Sequence, residues 1–328
     1  MTLNKQTKTL HLFGGGPLVK ICEQIAYEND WNVILRTGKR FVKSLSDIDS
    51  RTKLLVGDNL MNLIMEADQP KSGDIGLSIS APWIFKRNHI DKFNGQLFNI
   101  HNQPLPIFKG AGGSSWRILM NHFHGGSCIH FLTEGIDDGE IVEKVEFKFP
   151  SNCIYPEDFD NVALSYSSNL IKRWLSNVVS NPSYIIKKLP KYKSSDSEYW
   201  PRINSEIHGW INWDWSISDI NLFCNAFSFP HHGAQTKVRG IKVFIKKVSI
   251  QINNEKFHPF QNGLIYNITN NILHVAHKGG TLFIEEHELE DSKVKLRLGD
   301  RFFTESSILD NAMKTRIQYY PDGTIFKN

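Results

Sequence analysis

Residues 10–13 (Leu-His-Leu-Phe) form a short apolar run that stops at Gly14-Gly15-Gly16-Pro17, after which Leu18, Ile21, Ile25 and Ala26 recur at helical spacing. A strand, a tight loop and an amphipathic helix in that order predict a parallel partner strand, because the helix carries the chain back across the sheet. Residues 31–35 and 74–80 supply two more strand candidates. Residues 98–101 supply a fourth, broken by the stretch 103–106. Residues 116–121 suit a helix, and residues 126–133 and 140–149 alternate like paired strands. Residues 157–179 read as a long amphipathic helix with Val162, Leu164, Leu170, Ile171, Trp174 and Leu175 facing inward. Strands alternating with helices predict a mostly parallel sheet covered on both faces.

The pattern changes near residue 190. Residues 190–201 (PKYKSSDSEYWP) are polar, bounded by prolines and poor in aliphatics, as a linker would be. Beyond them, residues 242–250, 263–268, 272–276 and 281–285 are short β-branched runs separated by Gly and Asn, which predict a small barrel or sandwich. The expectation is therefore two domains, residues 1–203 and 204–328.

Charge narrows the partners. The first 203 residues hold 24 Lys/Arg against 21 Asp/Glu, and the remainder 14 against 13, so the overall excess of +4 is thinly spread. A polyanion-binding face concentrates its basic residues, so this distribution argues against a nucleic-acid partner. Cys22, Cys128, Cys153 and Cys224 form no CxxC pair, which speaks against a disulfide framework or a four-cysteine zinc site. The first nine residues are polar, and no run of about 18 apolar residues occurs, so a soluble, cytoplasmic chain without a membrane partner is expected.

The chemistry concentrates in residues 98–142. Asn99 and His101 stand two apart at a strand end, so both side chains leave one face. Asp137 and Asp138 occupy a turn closed by Gly139. An amide, an imidazole and a carboxylate meeting in a cleft suit acyl transfer to an amine. A neutral His, with an ordinary pKa of about 6.5, can take the amine proton near pH 7. The Asn amide can donate to the oxygen that gains charge, and the Asp can orient the imidazole and stabilise its protonated form. The attacking amine makes a Ser or Cys nucleophile unnecessary.

This segment resembles the folate-dependent formyltransferases, the family containing glycinamide ribonucleotide and methionyl-tRNA formyltransferases. The resemblance rests on Asn99-Ile100-His101, Leu105-Pro106, Lys109-Gly110 and Asp137-Asp138-Gly139-Glu140-Ile141. It extends through Ile211-Asn212-Trp213, residues 230–236 (PHHGAQT) and Gly263-Leu264-Ile265 to the C-terminal β-domain of the longer members. It implies an α/β fold: a Rossmann-like catalytic domain with a mostly parallel sheet, followed by a smaller β-barrel domain of OB type. It implies Asn99, His101 and Asp137 as catalytic, with Asp138 on a variable position, and N10-formyltetrahydrofolate as co-substrate without a metal. Ser80, Ala81, Pro82, Trp83, Ile84 and Phe85, with Leu132 and Ile136, would wall the pterin pocket. Gly14, Gly15 and Gly16, ahead of a helix, suit either a nucleotide phosphate or a plain tight turn. Lys86 is a second phosphate candidate or a surface lysine.

His122, His124, His130 and Cys128 fit no common metal-ligand spacing. His231-His232 reads as a surface or linker feature, and Trp116 as a core residue. Three acceptors compete: a nucleotide-linked amino sugar, an initiator tRNA and a phosphoribosyl amine. Length disfavours the third. In tRNA-directed members a Pro follows the catalytic His, whereas Asn102 stands here, and residues 110–115 (GAGGSS) also depart from that pattern. The expectation is an amino-sugar nucleotide acceptor, with its 3- or 4-amine formylated for bacterial surface polysaccharide. The alternatives are methionyl-tRNA formyltransferase and a non-catalytic folate binder. The β-domain would either pack on its twin in a homodimer or complete the acceptor site.

Overall fold

The computed structural model describes residues 7–45, 47–65, 69–111, 113–181, 188–190, 194–253, 256–320 and 324–327. The first apolar run is strand β1 (Thr9–Gly14), and the helical spacing after it is α1 (Leu18–Glu28). There follow β2 (Asn32–Thr37), β3 (Lys53–Val56), α2 (Leu60–Met65), β4 (Ile75–Ile79), the short α3 (Arg87–Ile90) and β5 (Leu97–His101). The sheet runs β3-β2-β1-β4-β5 with every neighbour parallel. Two antiparallel strands, β7 (His124–Phe131) and β8 (Ile141–Lys148), extend it to seven. Between β5 and β7 lie β6 (Lys109–Gly110) and α4 (Gly113–Leu119).

Helix α5 (Pro156–Ser180) starts where Pro156 fills its first position and Asp158 accepts the Ile154 and Tyr155 N–H groups, each at 2.9 Å. It buries Leu170, Ile171, Trp174 and Leu175 against one sheet face, with Trp174 edge-on to Phe98 at 5.0 Å. Val162 and Leu164, also expected inward, are partly buried. Phe13, Leu60, Leu63, Trp83 and Phe85 fill a separate apolar cluster. The expected Rossmann-like layering is what the chain adopts.

Strand β9 (Tyr199–Trp200) lies within the stretch read as a linker. It pairs in parallel with β6, and the Lys109 N–H donates to the Glu198 carbonyl at 3.0 Å. Residues 198–200 are thus fastened to the first sheet's loops. Their Trp and Tyr rings pack, which a composition-based linker reading overlooks. Beyond lie α6 (Ser205–His208), α7 (Ile217–Ala226), β10 (Ala234–Val238), β11 (Ile241–Ile252), β12 (Ile265–Thr269), β13 (Ile272–His277), β14 (Gly280–Leu289), β15 (Phe302–Phe303), α8 (Ser306–Lys314), β16 (Ile317–Tyr319) and β17 (Ile325–Lys327). A six-stranded antiparallel sheet, β12-β13-β14-β11-β10-β15, curls so that a Leu264–Arg301 bridge ties its two edges. Its core joins Ile118, Phe149 and Phe159 from the first sheet's elements to Phe223, Ile245 and Val275. No helix among the described residues is long and apolar enough to cross a membrane.

Candidate active site

Strand β5 ends at the edge of the parallel part of the sheet, where β7 runs back beside it. Their register sets Asn99 opposite His130 and His101 opposite Cys128. Across the first pair, Asn99 Nδ2 donates to His130 Nε2 at 3.1 Å. The His130 Nδ1–H in turn donates to the Phe131 carbonyl at 2.9 Å, which leaves Nε2 as the acceptor. One amide hydrogen of Asn99 is thereby committed and the other is left to the cleft. His101 donates from Nε2 to the Phe108 carbonyl at 2.6 Å, so its Nδ1 carries the lone pair.

The carboxylate arrives from the loop after β7. Gly139 allows that loop to lie against the strand, since a Cβ there would sit 1.8 Å from the Phe131 carbonyl oxygen. Asp137 takes a left-handed φ of 48°, which an Asp tolerates better than a branched residue. Its Oδ2 accepts the Gly110 N–H at 2.9 Å and lies 3.7 Å from His101 Nδ1, while Oδ1 lies 3.6 Å from His130 Nε2. Asp138 points elsewhere and is bonded by the Thr133 hydroxyl.

Electrostatics follow from this packing. Burial lowers the His101 pKa below its ordinary value and outweighs the opposing pull of Asp137 and the Phe108 bond. The ring is therefore neutral near pH 7. Burial would raise the Asp137 carboxyl, but His101, His130 and the Gly110 N–H together bring it down to about 2. The centre is a neutral base beside a fixed anion, with the Asn99 amide lining the same space.

All of these side chains line one cleft of about 750 Å³. Ser80, Ala81, Trp83, Ile84, Phe85, Leu132 and Ile136 line it too, and Pro82 lies beside it in the chain. Ile84 is 65% exposed and Ile136 42% exposed, so the cleft has an uncovered apolar edge. Trp83 is mostly buried and donates to the Asp58 carbonyl at 3.0 Å. Asn102 lines the cleft, with its Oδ1 accepting from Ser167 at 3.0 Å.

Gly14, Gly15 and Gly16 are not among the lining residues. Gly14 packs so closely that a Cβ would meet the Ile79 carbonyl, and the Gly15 N–H already donates to that carbonyl at 3.0 Å. Lys86 is exposed ahead of α3 and is not among the lining residues, although its neighbour Phe85 is. Among the described residues no group of three or more His, Cys, Asp or Glu could hold a metal.

Several lining residues escaped the sequence reading. No motif marks His130 as a site residue; its place opposite Asn99 depends on the pairing of β7 with β5. Gln103, which Arg117 bonds, and Asp160, which Ser114 bonds at 2.5 Å, also face the cleft. Arg40, on a short 3₁₀ helix (Lys39–Ser44), and Arg202, just after β9, complete it from distant parts of the chain, and no motif marks either. His231, read as a surface feature, instead reaches Ser115 at 3.2 Å.

Two family models match this chain: "Formyl transferase" over residues 83–151 and "Formyl transferase, C-terminal domain" over residues 204–295. A methionyl-tRNA formyltransferase of Clostridium tetani is 25% identical over 195 residues, 60% of this chain and 60% of that protein's length. One of Rickettsia bellii is 27% identical over 240 residues, 73% of each. In fold, an N-formyltransferase from Helicobacter canadensis, solved with folinic acid and dTDP-3-aminofucose, superposes with a TM-score of 0.59 at 21% identity. That superposition covers 85% of this chain and 99% of that one. A 4-N formyltransferase from Francisella tularensis gives 0.58 at 17% identity, covering 74% and 97%.

Proposed function

Because the chain carries both domains of the formyl transferase family, we propose that it moves a formyl group from N10-formyltetrahydrofolate to an amino-sugar nucleotide. One observation carries this reading: the Asn99 amide, the His101 imidazole and the Asp137 carboxylate face a single cleft at the end of β5. The co-substrate supplies an activated formyl carbon. The apolar edge at Ile84, Leu132 and Ile136 suits the flat face of a pterin.

The acceptor's neutral amine attacks the formyl carbon to form a tetrahedral adduct, and the bond to N10 breaks as the C=O bond re-forms. The uncommitted Asn99 N–H donates to the oxygen that gains charge, and the transiently protonated His101 supports it. His101 takes the amine proton at Nδ1, where Asp137 stabilises the imidazolium, and the proton leaves with tetrahydrofolate N10. His130 holds the Asn99 amide in the orientation this needs.

Asn102 in place of Pro and the thin positive charge support a nucleotide-linked sugar, whose 3- or 4-formamido product would serve surface polysaccharide. The architecture is shared with a protein solved with dTDP-3-aminofucose, which is support at the level of fold. The names of the sequence relatives favour a second reading, methionyl-tRNA as acceptor. Single-turnover assays with dTDP-, UDP- and GDP-linked amino sugars beside initiator methionyl-tRNA separate the two. Transfer to a sugar nucleotide is expected. Transfer to tRNA alone would overturn the acceptor, and folate binding without transfer to anything would favour a non-catalytic binder.

A further inference from the structure

Arg202 is shared by two cavities. On one side lies the cleft of His101; on the other lies a second cavity of about 880 Å³ walled by Trp116, Tyr199, Trp210 and Trp215. Trp116 donates from Nε1 to the Pro201 carbonyl at 2.7 Å, which fixes the segment carrying Arg202 against α4. Tyr199 is 46% exposed, and the Arg316 guanidinium stands 5.6 Å over its ring.

Among the described residues the cations at the junction have no anionic partner. Arg202 contacts the Tyr319 ring at 5.2 Å, and Arg40 stacks on Phe41 at 4.6 Å. Neither joins an ion pair among the described residues, whereas Arg51, Arg173 and Lys237 all do. Arg40 Nε is buried with no hydrogen-bond partner, a costly state that an incoming anion would relieve. Burial chiefly, and then the Arg202 charge, pulls the Arg40 pKa below its ordinary value. The two guanidiniums thus act on one another across the lining they share. The carboxylates that line the cleft are engaged by other groups: Asp160 accepts from the Ser114 hydroxyl, Glu134 from the Arg87 N–H and Asp137 from the Gly110 N–H.

We propose that Arg40 and Arg202 clamp the diphosphate of the acceptor and that the aromatic cavity beyond Arg202 receives its nucleoside base. Guanidinium forks match phosphate oxygens, and exposed aromatic faces match a base. Reading outward from His101, the order of chemistries is amine acceptor, anion, base, which is the order of groups in a sugar nucleotide. This assignment rests on the sugar-nucleotide reading above.

Calorimetric titration of the full chain with dTDP, UDP, GDP and inorganic pyrophosphate tests it, with folinic acid as a control for the folate side. Arg202→Ala and Arg40→Ala should each weaken nucleoside diphosphate and pyrophosphate by about tenfold or more. Tyr199→Ala should weaken the nucleotides by about tenfold and leave pyrophosphate unchanged, and Tyr199→Phe should restore them. Folinic acid should bind all four variants as it binds wild type. Nucleotide binding that neither Arg202→Ala nor Tyr199→Ala alters would overturn the clamp and leave the acceptor class standing. Loss in the arginine variants alone would overturn the base cavity. A wild-type chain that binds no nucleoside diphosphate and formylates tRNA would overturn the acceptor class itself.

Discussion

The two sheets place their buried polar groups differently. In the parallel sheet Arg36 contacts His11 at 2.9 Å, His11 contacts Asp74 at 3.3 Å, and at the strand ends Asn99, His101 and His130 open on the cleft. The curled antiparallel sheet buries Gln235, Thr236, His277 and Thr281 away from that cleft, among the fully enclosed Val243, Ile245, Ile265, Val275, Leu282 and Ile284. Parallel strands release their carboxyl ends on one side, so side chains from separate strands and loops converge there. An antiparallel sheet sends neighbouring strand ends to opposite sides and offers chiefly a packing face. Reactive groups therefore collect in the first region, and the second supplies a wall, part of the aromatic cavity and a shared core.

That division can be broken at either end. The largest effect expected is on stability in the second region: Ile245→Ala should cost about 2–5 kcal/mol in denaturant unfolding with the single-turnover rate retained. A comparable loss of rate in the folded variant would mean the antiparallel sheet tunes the chemistry directly. A smaller effect is expected in the first region. The His101 imidazole should titrate below its ordinary value of about 6.5, because burial favours its neutral form. Activity should therefore be kept as pH rises above that midpoint and lost as pH falls through it. Asp137 raises the His101 pKa, so Asp137→Asn should move the midpoint lower still, as read by NMR of the ring protons. An unmoved midpoint would separate the carboxylate from the imidazole.

The legible part of the fold was the part whose pattern is local. Strand β1, the glycine loop and α1 follow one another with unambiguous periods, and α5 shows its buried stripe over six turns. Strand β3 was missed because it is four residues long at a sheet edge, with Leu54 and Val56 about two-fifths exposed and no alternation to read. Helix α7 was missed because Asp219, Asn221 and Asn225 dilute its apolar face. Within the site, Asn99, His101 and Asp137 carry a motif that a reader can find. His130 depends on strand register, and Arg40 and Arg202 on a fold that joins residues 162 positions apart in sequence. Arg202 also directly follows the stretch whose polarity suggested a tether, and only the pairing of β9 with β6 reveals that it is held at the cleft.

If an amide, an imidazole and a carboxylate act on one formyl carbon, single-turnover formyl transfer under saturating folate should fall by at least about 10²-fold in His101→Ala and in Asp137→Ala. The fall in His130→Ala should be smaller, and folinic acid binding should be preserved in all three. Wild-type rates in His101→Ala or Asp137→Ala would contradict that joint action.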